Sequence, residues 1–117
     1  MNFNSIVGQA NTKKHLLTMA QRRCVPHAMM LVGPEGNGAL SLAIAFSKYL
    51  LCQNPGEADA CGNCSHCRKV ATLQHPDVHY SFPFFNKTGI EKTTSVDYWQ
   101  SWLSDVVANP YLSIEQW

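Results

Sequence analysis

No stretch of the sequence approaches the ~20 consecutive apolar residues of a membrane-spanning helix. The start, Met1-Asn2-Phe3-Asn4-Ser5, has no basic segment leading into an apolar run, so no secretory signal is expected either. Charge of one sign is scarce. Nine Lys and Arg against eight Asp and Glu leave a formal charge of +1. The chain as a whole therefore carries no electrostatic footprint for nucleic acid. There is no internal repeat and no low-complexity tract. What is present is ordinary for a globular domain: 45% of the 117 residues are apolar and 15% charged, which excludes wholesale disorder. The expected compartment is cytoplasmic, where thiols stay reduced. Five cysteines in that setting point to metal before disulfides.

Apolar spacing predicts a helix over Thr12 to Arg23, N-capped by Asn11, with a basic last turn that suits the helix dipole. Ala28 to Val32 is an unbroken apolar run of strand length, the pattern of a strand buried on both faces. A glycine-rich turn follows, then a strong helix from Ala39 to Leu51. A polar loop leads into a cysteine cluster and a short helix, Ser65 to Leu73. Val78 to Phe82 alternates and reads as a second strand; Pro83 to Thr93 reads as a loop. Thr94 or Ser95 caps a last helix to Ala108, with Val96, Trp99, Trp102, Leu103, Val106 and Val107 as its apolar stripe. Ser113-Ile114-Glu115-Gln116 looks like a further helix start. This order is that of an α/β fold, with parallel strands and helices on the faces of the sheet.

The glycine turn has the spacing of a phosphate-binding loop, G-x-x-x-x-G-K-[ST], and its strand-to-helix context. Gly33, Gly36 and Gly38 let backbone N–H groups converge on an anion. The two side chains that handle nucleotide are missing. Ala39 stands where a lysine would meet the β- and γ-phosphates, and Leu40 where a hydroxyl would hold magnesium. Losing one close ion pair costs roughly 1–4 kcal/mol at a solvent-influenced site. Without the magnesium ligand, charge in phosphoryl transfer goes unstabilised. The turn is either an ordinary β–α connection or one of nucleotide-binding ancestry; neither hydrolyses ATP.

The strongest chemical signal is Cys52-x8-Cys61-x2-Cys64-x2-Cys67, four thiols within sixteen residues. Each C-x-x-C step lets two sulfurs converge on one ion, and Gly62-Asn63 fits the tight turn between them. Four thiolates suit zinc in a closed site. An iron–sulfur cluster takes similar spacings, although no Pro follows Cys67 and no second cluster motif occurs. Unliganded thiols are the third reading. Arg68 and Lys69 would partly offset the negative charge of a metal–thiolate centre. His66 lies between two ligands and is expected to point away, and Cys24 is expected to be a small buried apolar residue. His15, His27, His75 and His79 have no acid or nucleophile at a telling spacing and are expected to be structural. Trp99 and Trp102 share a helix face and are expected to belong to the core, whereas Tyr111 and Trp117 are candidates for exposure near the end of the sequence.

Taken together, these motifs extend to Phe3-x2-Ile6-Val7-Gly8-Gln9, His27-Ala28, Leu50-Leu51-Cys52, Ala60-Cys61-Gly62 and His75-Pro76-Asp77. In that order they closely resemble the start of bacterial DNA polymerase III clamp-loader subunits, which are AAA+ proteins. The resemblance covers roughly residues 1–82 and weakens from Pro83 on, with Asn109-Pro110-Tyr111 fitting a divergent member. Gamma/tau-type members keep the Lys and Thr of the phosphate loop and hydrolyse ATP. Another type has a degenerate loop and acts as a rigid stator; Ala39, Leu40 and His75-Pro76-Asp77 agree with that type.

The resemblance implies a partial AAA+ (P-loop NTPase-like) domain of parallel strands and flanking helices, with a zinc-binding module inserted at about residues 52–70. It implies Zn2+ on Cys52, Cys61, Cys64 and Cys67, and places the Ile6 to Gln9 segment near the base of a nucleotide in an active relative. Walker B, sensor, lid, collar and arginine-finger segments are not found before Trp117, so residues 1–117 read as the N-terminal part of that domain in a longer parent. The implied function is non-catalytic: helping a loader place the sliding clamp on primed DNA during replication. The implied partners are the delta and gamma/tau subunits and, through the complex, the clamp and primed DNA. No ATP and no membrane partner are expected. The unpaired strands, or the face with Trp99 and Trp102, are expected to make this chain self-associate. The rivals are an ATP-binding gamma/tau-type subunit or other AAA+ paralogue, and a small zinc-binding nucleic-acid module, against which the near-neutral charge counts.

Overall fold

The computed structural model describes residues 1–84, 94–113 and 115–117. In chain order it contains a 3-10 turn at Phe3–Ser5, then α1 (Ala10–Gln21), α2 (Ala39–Leu51) and α3 (Ser65–Ala71). A second 3-10 turn, Ser95–Tyr98, leads directly into α4 (Trp99–Ala108).

α2 organises the molecule because it is apolar on two faces. Leu42, Ala45, Phe46 and Tyr49 recur at helical spacing and pack with Phe3, Ile6 and Leu16 in a first cluster that ends on Cys52, Ala60 and Cys67. Leu40, Ile44 and Leu51 lie on another face, where Ile44 joins Val70, Leu73, Trp102 and Val106 in a second cluster. Each large apolar side chain so buried contributes roughly 1.5–3 kcal/mol. Gly38 starts the helix in the left-handed region (φ +86°), and a Cβ there would stand 3.0 Å from the Tyr111 ring. A side chain at this position would be both strained and crowded. The Lys48 stem is buried within α2, and its ammonium donates to Asn2 Oδ1 at 2.6 Å.

α1 and α3 end alike. Arg23 and Leu73 adopt positive φ, and the following amides reach back to Met19 O (3.0 Å, from Cys24) and Lys69 O (2.9 Å, from Gln74). These are Schellman closures that satisfy the last carbonyls of each helix. α1 lies two residues N-terminal to its expected span at both ends and starts after Gln9 rather than Asn11. Cys24 follows its closure on the surface and is exposed, not buried as expected. α2 has the expected bounds. α3 stops at Ala71, short of Leu73, because Leu73 turns left-handed. Thr94 caps the last helical segment as expected, taking part in a capping box with Asp97. Its first turn is 3-10, which rotates Val96 out to 78% exposure, and Val107 is exposed as well. The working stripe is Trp99, Trp102, Leu103 and Val106.

The expected parallel strands are not formed: no residue among those described is in a strand. Ala28 to Val32 has no ladder partner among the described residues, and a strand exists only through its pairing. Instead of being buried on both faces, Met30 and Val32 are 85% and 81% exposed, and only Leu31 packs against the core. Val78 to Phe82 keeps the alternation that suggested a strand. Val78, Tyr80 and Phe82 turn to the second cluster while His79 and Ser81 face outward. They meet aromatic rings of α4 rather than a neighbouring strand: Phe82 stacks on Trp102 at 4.6 Å, and Tyr80 lies 5.6 Å from Trp99. The Pro83 to Thr93 loop falls mostly outside the described residues, as does Ile114 of the expected last helix start. Beyond Ile114, the amides of Gln116 and Trp117 reach back to Ser113 O. Trp117 is half-buried against Phe82 in an edge-on contact. Trp102 is buried, so the tryptophans of α4 belong to the core as expected.

Candidate metal centre

The four cysteines come from three settings. Cys52 is the residue after α2, Cys61 sits in the loop, Cys64 is the N-cap of α3, and Cys67 lies in its first turn. The connecting loop is held by polar bonds. The Tyr49 hydroxyl donates to Gly56 O at 2.7 Å, Gln21 Nε2 donates to Glu57 O at 2.8 Å, and Gly56 N–H donates to Asp59 O at 2.9 Å. The Asp59 carboxylate then gathers three amides: Phe3 (3.2 Å) and Ala60 (2.9 Å) on one oxygen, Asn4 (3.0 Å) on the other. The loop is thereby fastened to the N-terminal segment. Gly62, at φ +75°, makes the tight turn between Cys61 and Cys64.

The outcome is a compact sulfur cluster. The four Sγ atoms lie within 4.8 Å of one another. Cys61 Sγ and Cys67 Sγ are 3.8 Å apart, the edge of a tetrahedron with metal–sulfur bonds of about 2.3 Å. Backbone amides point at the sulfurs. Cys61 N–H donates to Cys52 Sγ at 3.3 Å, Asn63 and Cys64 N–H to Cys61 Sγ at 3.4 Å, and Cys67 N–H to Cys64 Sγ at 3.4 Å. Such bonds favour the thiolate that a metal requires. The amides of Gln53 and Cys67 pull the Cys64 thiol down to about 6. Those of Asn63 and Cys64 lower Cys61. Burial pushes Cys67 up to about 12. This donor set fits a soft tetrahedral ion, and four cysteines this close could hold one.

His66 is not among the converging ligands. Its Nδ1 lies 2.7 Å from His75 Nε2, and His75 Nδ1 accepts from the Asp77 amide at 3.0 Å. Because Nδ1 of His75 accepts, its proton is on Nε2, which donates to His66. His75 is buried, and the pair pins α3 to the His75-Pro76-Asp77 turn. His75 is thus structural, as expected, while its partner was not legible. His15, His27 and His79 are exposed.

The glycine turn is a second, separate feature. Asn37 N–H donates to Pro34 O at 3.3 Å, and Asn37 Oδ1 accepts from Ala39 N–H at 3.0 Å. Ala39 and Leu40 are half-buried, with Leu40 packed into the second cluster. A cleft of about 380 Å³ borders the turn, walled by Phe82, Trp102, Tyr111 and Trp117. Among the described residues, no helix is long and apolar enough to cross a membrane.

A family model described as "DNA polymerase III, delta subunit" matches residues 8–113. The DNA polymerase III subunit delta' of Pseudomonas aeruginosa is 47% identical over 51 residues, covering 44% of this chain and 16% of that protein. The protein of the same name from Bacillus subtilis is 28% identical over 98 residues, covering 71% of this chain and 30% of its own length. A DNA polymerase III subunit gamma, from Buchnera aphidicola, is 32% identical over 72 residues, covering 58% of this chain and 19% of its own length. The chain therefore spans 16% to 30% of these relatives. No solved structure matches.

Proposed function

We propose, from the premise that this chain belongs to the DNA polymerase III delta-subunit family, that it is the N-terminal part of an AAA+ domain in a delta-prime-type clamp-loader subunit. The parent serves as a non-catalytic stator: with the delta and gamma/tau subunits it helps load the sliding clamp onto primed DNA. The family match carries this reading, and the loss of Lys and Ser/Thr at Ala39 and Leu40 directs it away from the gamma/tau type. Phosphoryl transfer proceeds by charge stabilisation and positioning, and a turn with Ala39 and Leu40 supplies neither a cation nor a magnesium ligand. The protein belongs in the cytoplasm with the replication machinery.

Cys52, Cys61, Cys64 and Cys67 hold one Zn2+ in this reading, supported by sulfur spacing and the amides that face the sulfurs. A zinc ion there is structural: it joins the end of α2 to α3 and fixes the inserted module, about residues 52–70, against α2. Reconstitution tests the function. The full-length protein should co-elute with delta and gamma/tau subunits and be required for clamp loading, while having no ATPase activity alone. Failure to enter that complex, or ATP turnover by the isolated protein that a Gly38 substitution abolishes, would reject it.

A further inference from the structure

Within the glycine turn, the space beside Gly33 is taken by the chain itself, while the cleft of about 380 Å³ borders the turn. A Cβ on Gly33 would run into the Asn37 carboxamide, with Asn37 Cγ only 2.8 Å away. The Asn37 side chain therefore lies against Gly33, inside the turn, and its oxygen takes the Ala39 amide. That amide is one of the helix-end donors otherwise available to an anion. Asn109-Pro110-Tyr111-Leu112 packs against Gly38 and walls the cleft; it is a tight turn with Leu112 N–H on Asn109 O at 3.1 Å and Tyr111 N–H on Asn109 Oδ1 at 3.1 Å. Asn at the first and Pro at the second position are the residues such a turn favours. The Tyr111 ring lies against Gly38 and its phenol oxygen accepts from Val7 N–H at 3.1 Å. The fully buried Ser41 hydroxyl donates to Pro110 O, and Gln9 Nε2 donates to Asn37 O at 3.1 Å.

The geometry points to a self-liganded turn: Asn37 inside and Tyr111 outside occupy the surroundings of the α2 N-terminus and clasp the 6–9 segment, the turn and the 109–112 turn together without any nucleotide. This inference rests on the reading of the turn as a phosphate loop that has lost its chemistry, and adds that the loss is steric as well as chemical. Restoring the missing side chains alone should then not restore binding.

The test has two arms in the full-length protein. Fluorescent ADP with magnesium is titrated against A39K/L40T and against the same protein carrying N37G and Y111A as well. The second should bind tighter by about tenfold or more. Equal affinity in the two, or binding by neither, overturns the inference. Tight binding by the unsubstituted protein would instead overturn the reading of the turn as chemically degenerate. The second arm keeps the test decisive if the fourfold variant does not fold. Tyr111→Phe preserves the ring and removes only the acceptor, so the Val7 amide should exchange about fivefold faster while α1 amides are unchanged. Unaltered Val7 exchange would overturn the clasp.

Discussion

Replacing Cys64 with Ser should separate the metal centre from the rest of the fold. Cys64 supplies one of four converging sulfurs and accepts the Cys67 amide that begins α3. Structural zinc in small peptides binds with an apparent ~10–16 kcal/mol at neutral pH. An equal share per sulfur puts the loss of one at about 2.5–4 kcal/mol, roughly fiftyfold to a thousandfold in affinity. The segment has little else to hold it. α3 has seven residues, below the ~12–15 at which an isolated helix becomes even marginal. Of residues 53–60 only Ala60 is buried. Competition with a chromophoric chelator should show the affinity loss, and hydrogen exchange should show residues 61–71 opening while α1 stays protected. Freshly reduced protein without metal, iron with sulfide in its place, or a variant that holds zinc as tightly as the parent would refute a structural zinc at these four sulfurs.

Asp59→Ala removes the acceptor of three amides and should destabilise the chain by about 2 kcal/mol; Asp59→Asn, which keeps one amide oxygen, should recover about half in urea unfolding. In the reduced, metal-free chain the first thiolate absorbance should develop near pH 6, and C64S should remove that step. The sign follows from a lowered folded value: the stabilising contribution is fully present above the unfolded 9.0 and is lost as pH falls through about 6, so apo-chain stability should drop on acidification across that window. Cys67 runs the other way, contributing below 9.0 and losing its contribution toward 12. The 117-residue chain, with Met30 and Val32 outward, should associate at micromolar concentration; sedimentation as a folded monomer of 13.0 kDa would refute this.

The helices were legible because each carries its own periodic signal. α2 matches its expected bounds, since thirteen residues from Ala39 to Leu51 contain neither Gly nor Pro and present two apolar faces. Helix ends were less legible. Arg23 and Leu73 close α1 and α3 in a conformation that glycine usually supplies, so no residue-type signal marked the stop. The strands failed for a different reason. Periodicity reports which side chains seek burial, not which backbone will pair. The alternation of Val78, Tyr80 and Phe82 is satisfied by packing on the second cluster, where Tyr80 and Phe82 meet Trp99 and Trp102, without a ladder. The run Ala28 to Val32 has the hydrophobicity of a buried strand but no partner among the described residues.

The same distinction governs the sites. Four cysteines within sixteen residues announce themselves because their geometry is fixed by local turns: C-x-x-C steps, the Gly62 turn and the α3 N-cap are all short-range. What makes that cluster rigid is long-range. Asp59 reaches amides 55 and 56 residues away. At the glycine turn, Tyr111 likewise reaches one 104 residues away. No spacing rule contains such pairs, and an aspartate in a polar loop or a tyrosine after a proline has many unremarkable uses. The glycine turn stands between the two cases. Its glycine spacing is local and suggested an anion site, whereas the groups that close it, Asn37 within and Tyr111 from the far end of the sequence, were visible only once the chain had folded. A motif read from spacing establishes what the backbone can cradle. Whether anything is left to cradle depends on side chains that arrive from elsewhere, and here they are the protein's own.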